Sequence, residues 1–267
     1  KVTTSIGSSD DWGNSLAIQS DSKIVVAGFS YGSSEVDFAL VRYNSDGSLD
    51  NTFDTDGRVT TKIGNHWSGI NSVLIQADGK IVAAGSSSDE EDMDNSIAAA
   101  RYNSNGSLDT AFSGDGKLTT SFSYWSGAYA AALQTDGKIV LAGYVQTGPE
   151  SSISVIRYDA AGNIDSSFAD SGLAITTLDS NNNLAYGIAL QPDGKIVAAG
   201  YVTDGTDINF ALARYNSNGS LDRSFSIDGR VVTVFSGGTD FDNAVAIQPD
   251  GKMVAAGVSN DAFALAR

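Results

Sequence analysis

All three tryptophans of the chain and its single histidine lie in one set of loops, each just ahead of a short apolar segment. Exposed aromatic rings beside Asn and Asp are typical of sugar-binding surfaces, because the apolar face of a pyranose stacks on a ring while its hydroxyls need directional partners. We therefore predict a ligand-binding surface here. Its candidate residues are Asp11, Trp12, His66, Trp67, Tyr124, Trp125, Tyr129, Tyr186, Phe241 and Asp242.

The same aromatic residues also have a structural interpretation. A large apolar residue at the corresponding place, such as Leu184 or Phe241, can simply plug the space between neighbouring structural units. Exposed large apolar side chains are the less common case in proteins. The sequence leaves both interpretations open for each ring.

The loops also contain groups capable of acid–base chemistry. His66 beside a carboxylate could act as an acid or a base, although a lone histidine cannot form a multi-histidine metal site. Carboxylate pairs such as Asp11 and Asp242 have the chemistry of glycoside hydrolysis. A carbohydrate-active enzyme, hydrolase or lyase, is therefore the alternative to a non-catalytic binding module. A structural or protein-interaction scaffold is the third hypothesis.

Calcium is the one cofactor for which the sequence offers ligands. The acidic run 89–94 could help to bind Ca²⁺, a hard cation that takes oxygen ligands, or it could be a solvated loop. The turn 44–50 resembles part of a calcium loop, but Arg42 lies where the first acid is needed, so an Asx-turn is the better interpretation. We predict no resident metal or other cofactor.

A possible nucleophile motif can be set aside. The string Gly28 to Gly32 fits the spacing of a nucleophile elbow, which requires a turn from a strand into a helix and a partner base. The sequence predicts no helix at this point.

These candidate residues are positioned by a repeat that runs through the whole chain. Its lysines are separated by 57, 58, 57 and 57 residues, a period typical of propellers and solenoids. A residue type present in every copy is most simply there to build the fold, whereas a variable position is free to serve a site. The copies of the motif begin at Gln19, Gln76, Gln134, Gln191 and Gln248.

Each repeat reads as four short strands, here residues 14–19, 23–28, 38–43 and 58–61, with no helical periodicity. In the four later repeats an Asp-Gly dipeptide between the first two strands predicts a two-residue hairpin turn, whereas repeat 1 has Asp21 and Ser22 there. Four strands per repeat are typical of a propeller blade, so we predict an all-β, five-bladed β-propeller over residues 1–267. Its connections before the first strand and after the second surround the channel mouth on one face. The repeat units begin near residues 14, 71, 129, 186 and 243.

The two ends of the chain predict how such a ring closes. The fifth repeat stops after its third strand, whereas residues 1–5 read as a fourth strand with no strands before it. We expect this N-terminal strand to complete the fifth blade, which leaves no unpaired sheet edge at the joint.

The run QPDGKIVAAGY, followed by FALARYNSNGSLDRSF and DGRVVT, resembles the delta-60 repeat of bacterial surface and secreted proteins. The resemblance covers the entire chain in five copies. It implies a propeller fold and an extracytoplasmic location, and it brings no catalytic or binding residues with it.

Composition narrows the choice of partners. The chain has 32 acidic and 16 basic residues and no cysteine. Its basic residues are spread evenly over the repeats, so we expect neither nucleic acid nor an anionic membrane as a partner, and no apolar run is long enough for membrane insertion. A secreted or cell-surface bacterial protein fits this composition, with a glycan, another cell-surface component or further domains of a larger protein as its partners.

Overall fold

The computed structural model describes residues 1–32, 35–89, 96–122, 125–146, 148–178, 182–203, 205–235 and 238–267, without the side chain of Asp242. These residues form β-strands joined by turns, and no helix among them is long and apolar enough to cross a membrane. The chain divides into two compact units, Lys1–Ala128 and Tyr129–Arg267, and each is described by itself.

The first unit contains repeats 1 and 2, each an antiparallel array of four strands in chain order. A single parallel pair, Val36 with Trp67, joins the two arrays. Repeat 1 has β1 (Asp11–Ile18), β2 (Ile24–Tyr31), β3 (Val36–Tyr43) and β4 (Arg58–Thr61), and repeat 2 has β5 (Trp67–Ile75), β6 (Ile81–Ser88), β7 (Ser96–Tyr102) and β8 (Lys117–Thr120).

The second unit contains repeats 3 and 4, again with four strands each, and the three strands of repeat 5. The first strand of repeat 3 begins just before the boundary between the units. Repeat 3 has β9 (Ser126–Leu133), β10 (Ile139–Gln146), β11 (Ser151–Tyr158) and β12 (Leu173–Thr176); repeat 4 has β13 (Asn183–Leu190), β14 (Ile196–Thr203), β15 (Ile208–Tyr215) and β16 (Arg230–Thr233); repeat 5 has β17 (Asp240–Ile247), β18 (Met253–Ser259) and β19 (Ala262–Ala266).

The first strand of each repeat starts earlier than the sequence predicts. In repeat 1 the strand begins at Asp11 instead of Asn14, and the pairing with β2 shifts register between Gly13 and Ser15. Asn14 is therefore the extra residue of a β-bulge, and the ladder continues on both sides of it. The prediction took the bulge for the end of the strand.

The hairpin turn also differs from the prediction of a two-residue turn. In repeat 2 the Gln76 amide donates to the Lys80 carbonyl and the Gly79 amide donates to the Gln76 carbonyl, so the loop has three residues. Only Gly79 has a positive φ, whereas Asp78 accepts a hydrogen bond from the Lys80 amide through its side chain. This is a type I turn followed by a left-handed glycine.

Strands in the interior of each unit are buried on both faces. All eight residues of β6 are buried, and β10 and β14 are buried over their first five residues. A strand covered on both faces is apolar continuously and does not alternate, which accounts for the repeated Lys-Ile-Val-Ala-Ala-Gly run. The core of the first unit packs Phe38 and Leu40 of repeat 1 against Ile70 and Ile81 of repeat 2.

Residues 1–5 form no strand in the structure, in contrast to the predicted fourth strand. They lie against repeat 1, where the Tyr43 hydroxyl donates to Thr4 Oγ1 over 2.8 Å. Tyr102 donates to Thr61 in the same way, and Thr61 belongs to the fourth strand of the preceding repeat. Thr4 thus makes the contact of a fourth-strand threonine without strand pairing.

Candidate functional site

The charged residues common to the repeats build a structural cluster, as predicted for residue types present in every copy. Arg42 Nε donates to Asp50 Oδ2 over 2.7 Å, and Lys23 Nζ lies 3.1 Å from the same oxygen. The guanidinium carbon is 4.5 Å from the centre of the buried Phe53 ring. The other three complete repeats have the same Arg Nε to Asp Oδ2 contact. Its distances are 2.7 Å for Arg101 with Asp109, 2.9 Å for Arg157 with Asp165 and 2.8 Å for Arg214 with Asp222.

This cluster keeps its carboxylates ionised. Hydrogen bonds from Ser167 and the charge of Arg157 outweigh the effect of burial and lower the pKa of Asp165 to about 2. At Asp50, burial opposes the shift, but Thr52, Lys23 and Arg42 together hold the pKa well below its usual range. A carboxylate that stays charged and paired cannot act as a general acid near neutral pH. The cluster therefore belongs to the scaffold.

The bulge in the first strand links neighbouring repeats. Asn14 Nδ2 donates to the Ile70 carbonyl, and Asn71 Nδ2 donates to the Ala128 carbonyl, both over 2.9 Å. Each acceptor precedes the bulge position of the next repeat. Tyr129 and Tyr186 occupy the same position in repeats 3 and 4, where ring contacts replace the amide bond.

Aromatic rings of the first unit form a row on its repeat 1 and repeat 2 strands, which we call the tryptophan row. Phe29 lies at its centre, with its ring centre 6.2 Å from those of both Trp12 and Trp67. The Trp12 ring is nearly parallel to Phe29, at 15°, and Tyr31 meets Phe29 edge-on. Phe29 was not among the predicted site residues, although it occupies the variable position that follows the repeated glycine of the second strand.

Exposure separates the predicted tryptophans into two kinds. The side chains of Trp12 and Trp125 are 59% and 49% exposed. Trp67 is partly buried, and its ring lies close over Gly69 of its own strand. Trp67 therefore resembles the predicted plug between repeats, whereas Trp12 and Trp125 offer surface to a ligand. His66 is partly buried, and its carbonyl accepts a hydrogen bond from the Val36 amide.

Asp11 holds the loop that precedes β1. Its two carboxylate oxygens accept hydrogen bonds from the amides of Ile6 and Gly7, at 2.8 and 3.1 Å. Burial raises the pKa of Asp11, but the hydrogen bonds from Ser30 and these amides outweigh it and keep the pKa below the ordinary value. Asn183 of repeat 4 accepts from the amide five residues before it in the same manner, which marks a structural role.

Four tyrosines form a second row, the tyrosine row, in the second unit. Tyr129 and Tyr186 lie with ring centres 4.5 Å apart, and Tyr144 and Tyr201 flank them at 5.7 and 5.9 Å. All four side chains are partly buried. The row runs from the second strand of repeat 3 to the second strand of repeat 4.

Two phenols of the tyrosine row, those of Tyr129 and Tyr201, remain neutral. Burial, together with the neighbouring Tyr186 hydroxyl, raises the pKa of Tyr201 to about 12, and burial with the Tyr186 and Tyr144 hydroxyls raises the pKa of Tyr129 further. A neutral phenol both donates and accepts hydrogen bonds, and its ring offers an apolar face. Tyr129 and Tyr201 can therefore bind a polar, uncharged ligand but cannot supply a base near neutral pH.

The remaining predicted residues are less informative. Phe241 is partly buried in β17 and pairs with Val258. Asp242 pairs through its backbone with Gly257, and its side chain is not described. Tyr124 lies outside the described residues.

Metal ligands are not assembled in the described part of the chain, where no group of three or more His, Cys, Asp or Glu residues could hold an ion. Of the acidic run 89–94, only Asp89 is described, and it accepts a hydrogen bond from the Asn65 amide. In the turn 44–50, Asp46 accepts from the Ser48 amide, which is the predicted Asx-turn. Ser30 of the elbow-like string is a buried residue within β2, as expected for a string that is not a nucleophile elbow.

Asp37 differs from the carboxylates described above, because its pKa is raised and not lowered. Burial and the negative charge of Glu35 raise the pKa of Asp37, and Lys62 only partly compensates. Lys62 Nζ lies 2.6 Å from Glu35 Oε1, so its charge is shared with that residue. A carboxyl group that retains its proton to higher pH can serve as a general acid.

These features define the class of protein as an all-β repeat protein with four-stranded, propeller-type blades. The family model described as "Domain of unknown function (DUF5122) beta-propeller" matches residues 19–53, 76–112, 134–168 and 191–225, which together exceed half of the chain. The chain belongs to this family. The resemblance to a propeller-forming repeat family is thereby confirmed at the level of the fold.

Solved structures of similar fold include a protein of unknown function from Bacteroides caccae, at 12% identity and a TM-score of 0.51, covering 91% of this chain and 69% of that one. The alpha-L-arabinanase of Penicillium chrysogenum complexed with arabinobiose matches at 10% identity and a TM-score of 0.50, covering 91% of this chain and 87% of the arabinanase. Identities this low show the fold alone. Among curated proteins, none matches this chain.

Proposed function

We propose that the protein is a non-catalytic binding module that recognises a glycan, or another surface ligand, through aromatic rings, namely the tryptophan row, the tyrosine row and the exposed Trp125. The observation that carries the proposal is the Trp12 ring, which is 59% exposed and yet held by stacking on Phe29. A ring fixed before binding loses little conformational entropy when a sugar stacks on it. The neutral phenols of Tyr129 and Tyr201 suit the hydroxyls of such a ligand.

We further propose that five blades close into one ring, with the predicted binding site at its channel-mouth face. Closure by residues 1–5 is supported by Thr4, which accepts from Tyr43 as fourth-strand threonines do. Deleting residues 1–5 should then lower the melting temperature of the whole chain. A variant with an unchanged melting temperature would speak against this closure.

The same proposal includes the cellular location of the protein and its partners. Its net charge of -16 and its lack of cysteine support a secreted or cell-surface location in a bacterium. The partners that fit such a location are a cell-surface glycan and further domains of a larger protein. Nucleic acid does not fit the negative net charge.

A glycan-array screen of the purified protein, with and without Ca²⁺, tests the binding proposal. Trp12→Ala and Trp125→Ala should each weaken binding about 3-fold to 10-fold, the range expected for one ring contact. Phe263→Ala, which removes an exposed aromatic ring from β19, is the matched control and should bind like the parent. The binding proposal would be wrong if both tryptophan variants bound glycan like the parent protein, or if the parent protein bound no glycan. The scaffold hypothesis would then replace it.

A carbohydrate-active enzyme is the second candidate function. The observation in its favour is the raised pKa of Asp37. The fold is compatible with a sugar substrate, because the arabinanase of similar fold holds arabinobiose. Release of reducing ends from soluble polysaccharides should then disappear in Asp37→Asn and persist in Asp46→Asn, a change confined to an exposed turn. Equal activity of both variants, or none in the parent protein, would exclude Asp37 as the acid.

A further inference from the structure

The tyrosine row has its origin in the bulge of the first strands. Tyr129 and Tyr186 occupy the bulge position of repeats 3 and 4, which in repeats 1 and 2 is held by Asn14 and Asn71. The side chain of a bulge residue reaches the next repeat, as Asn14 does when it donates to the Ile70 carbonyl. Tyrosines at this position in two successive repeats therefore meet across the seam between the repeats.

These two tyrosines are the closest pair of the row. Their ring centres are 4.5 Å apart and their planes are tilted by 35°. The flanking distances, from Tyr129 to Tyr144 and from Tyr186 to Tyr201, are 5.7 and 5.9 Å. Two rings at the short end of the range for aromatic pairs touch through their carbon atoms. The central pair is therefore in direct ring contact.

The hydroxyl groups of the row are joined as well. Tyr129 and Tyr201 each form a hydrogen bond with the Tyr186 hydroxyl. A phenol that loses an electron becomes strongly acidic, so its oxidation to a neutral radical needs a hydrogen-bond partner that takes the proton. Hydrogen-bonded hydroxyls supply such partners within the row.

The chain offers an oxidant few competing groups. Cysteine thiolates are readily oxidised, and the chain has no cysteine. Of the residues that the structure describes, Met253 is the single thioether, and it lies in β18 of repeat 5, whereas the row belongs to repeats 3 and 4. A chain without cysteine also has no disulfide with which to join its repeats.

We propose that Tyr129 and Tyr186 are an oxidative modification site, where hydrogen peroxide and a peroxidase form a dityrosine that joins repeat 3 to repeat 4. Each phenol loses one electron and one proton and becomes a neutral radical. A carbon–carbon bond then forms between ring carbons adjacent to the two hydroxyl groups. The hydrogen on each of these carbons moves to the oxygen of its ring, which restores both phenols. The electrons and protons that were removed reduce one peroxide molecule to two molecules of water.

The outer members of the row determine how oxidation reaches this pair. Successive ring centres from Tyr144 to Tyr201 are at most 5.9 Å apart, so an electron vacancy created at either end moves easily to the central pair. The ring contact at the centre then decides where the bond forms. The product closes a loop of one whole repeat, which restricts the unfolded chain as a disulfide does. This inference needs no bound ligand and is independent of the proposed glycan binding.

The test treats the intact protein, dilute and without glycan, with hydrogen peroxide and a haem peroxidase. We expect dityrosine fluorescence in the monomeric protein. Mass spectrometry after proteolysis should find one pair of peptides, containing Tyr129 and Tyr186, joined with the loss of two hydrogen atoms. The cross-linked monomer should melt at a higher temperature than the untreated protein.

Two tyrosine variants form a matched pair. Tyr186→Phe should abolish this cross-link, because phenylalanine keeps the ring contact but forms no phenoxyl radical, and Tyr129→Phe should do the same. Tyr31→Phe should leave the yield unchanged, although the Tyr31 side chain is 39% exposed and those of the row are partly buried. The comparison separates the geometry of the row from simple accessibility to the oxidant.

Three results would overturn the proposal. The first is a parent protein without dityrosine under conditions that couple free tyrosine. The second is a set of cross-links that join only separate chains through Tyr31. The third is an equal yield of dityrosine within the chain in Tyr186→Phe and the parent protein. A failure to bind glycan would change none of these outcomes.

Discussion

Gly85 lies directly over the carbonyl oxygen of Gly69, so close that a Cβ atom on Gly85 would be 1.9 Å from that oxygen. The two residues belong to adjacent strands, at the point where the bulge in β5 brings the backbone against β6. Gly28 and Gly200 meet the carbonyls of Trp12 and Leu184 in the same way. The glycine that ends each Lys-Ile-Val-Ala-Ala-Gly run is therefore a requirement of the bulge.

Gly85→Ala should accordingly lower the free energy of unfolding by more than about 2 kcal/mol, because the backbone itself must move to admit the methyl group. Gly148→Ala is the control, since a Cβ there meets no atom within 4 Å. Urea denaturation of both variants measures the difference. Equal midpoints would mean that the strand relaxes freely around the bulge.

The scaffold cluster predicts a large effect from a single arginine. Arg101→Ala removes one of the two cationic partners of the buried Asp109 and the cation above the buried Phe112 ring, 4.7 Å away. Lys80 Nζ stays 3.1 Å from the same carboxylate, so the loss should be smaller than the roughly 3–5 kcal/mol typical of an uncompensated buried charge. Chemical denaturation should show a loss of about 1–3 kcal/mol for Arg101→Ala, the usual effect of a lost charge-assisted hydrogen bond, and a change within about 0.5 kcal/mol for the exposed Arg223→Ala.

The same cluster predicts acid sensitivity. The pKa of Asp165 is about 2 in the folded chain, and the pKa values of Asp50, Asp109 and Asp222 are also lowered. A lowered folded-state pKa gives stability above the unfolded value of about 3.9, and this stability is lost as the pH falls through the folded value. The melting temperature should therefore fall between about pH 4 and pH 2. Asp165→Asn should melt lower at neutral pH and show a shallower fall, and an identical fall would remove Asp165 as a contributor.

Local pattern was sufficient to predict much of this architecture. The fourth strand of repeat 1, Arg58–Thr61, has the predicted bounds, because apolar and β-branched residues lie there between turn signals. The bulge at Asn14 was missed, since it depends on the carbonyl that Gly28 admits from the partner strand. The spacing of residues along the chain does not show that the Trp12 carbonyl contacts Gly28.

The candidate site was predicted less completely, for a similar reason. Trp12 is exposed, which is one of the two interpretations that the sequence left open, and the role of Asp11 depends on the amides of Ile6 and Gly7, which no residue pattern reveals. Phe29 could have been found, because the position after the repeated glycine varies between repeats and is aromatic in repeats 1, 3 and 4. Predicting the tyrosine row would have required the spacing of neighbouring strands as well as the residue types.

The tyrosine row makes a spectroscopic prediction. Burial and the Tyr186 hydroxyl raise the pKa of Tyr201 to about 12, so Tyr186→Phe should move the pKa of Tyr201 down towards the ordinary value of about 10. An alkaline titration of tyrosinate absorbance measures this shift. Tyr31→Phe, which changes a tyrosine of the tryptophan row, is the control and should leave the high-pH step in place. If that step is the same in Tyr186→Phe and the parent protein, burial alone sets the pKa, and the row is held together by ring contacts without coupling between its hydroxyls.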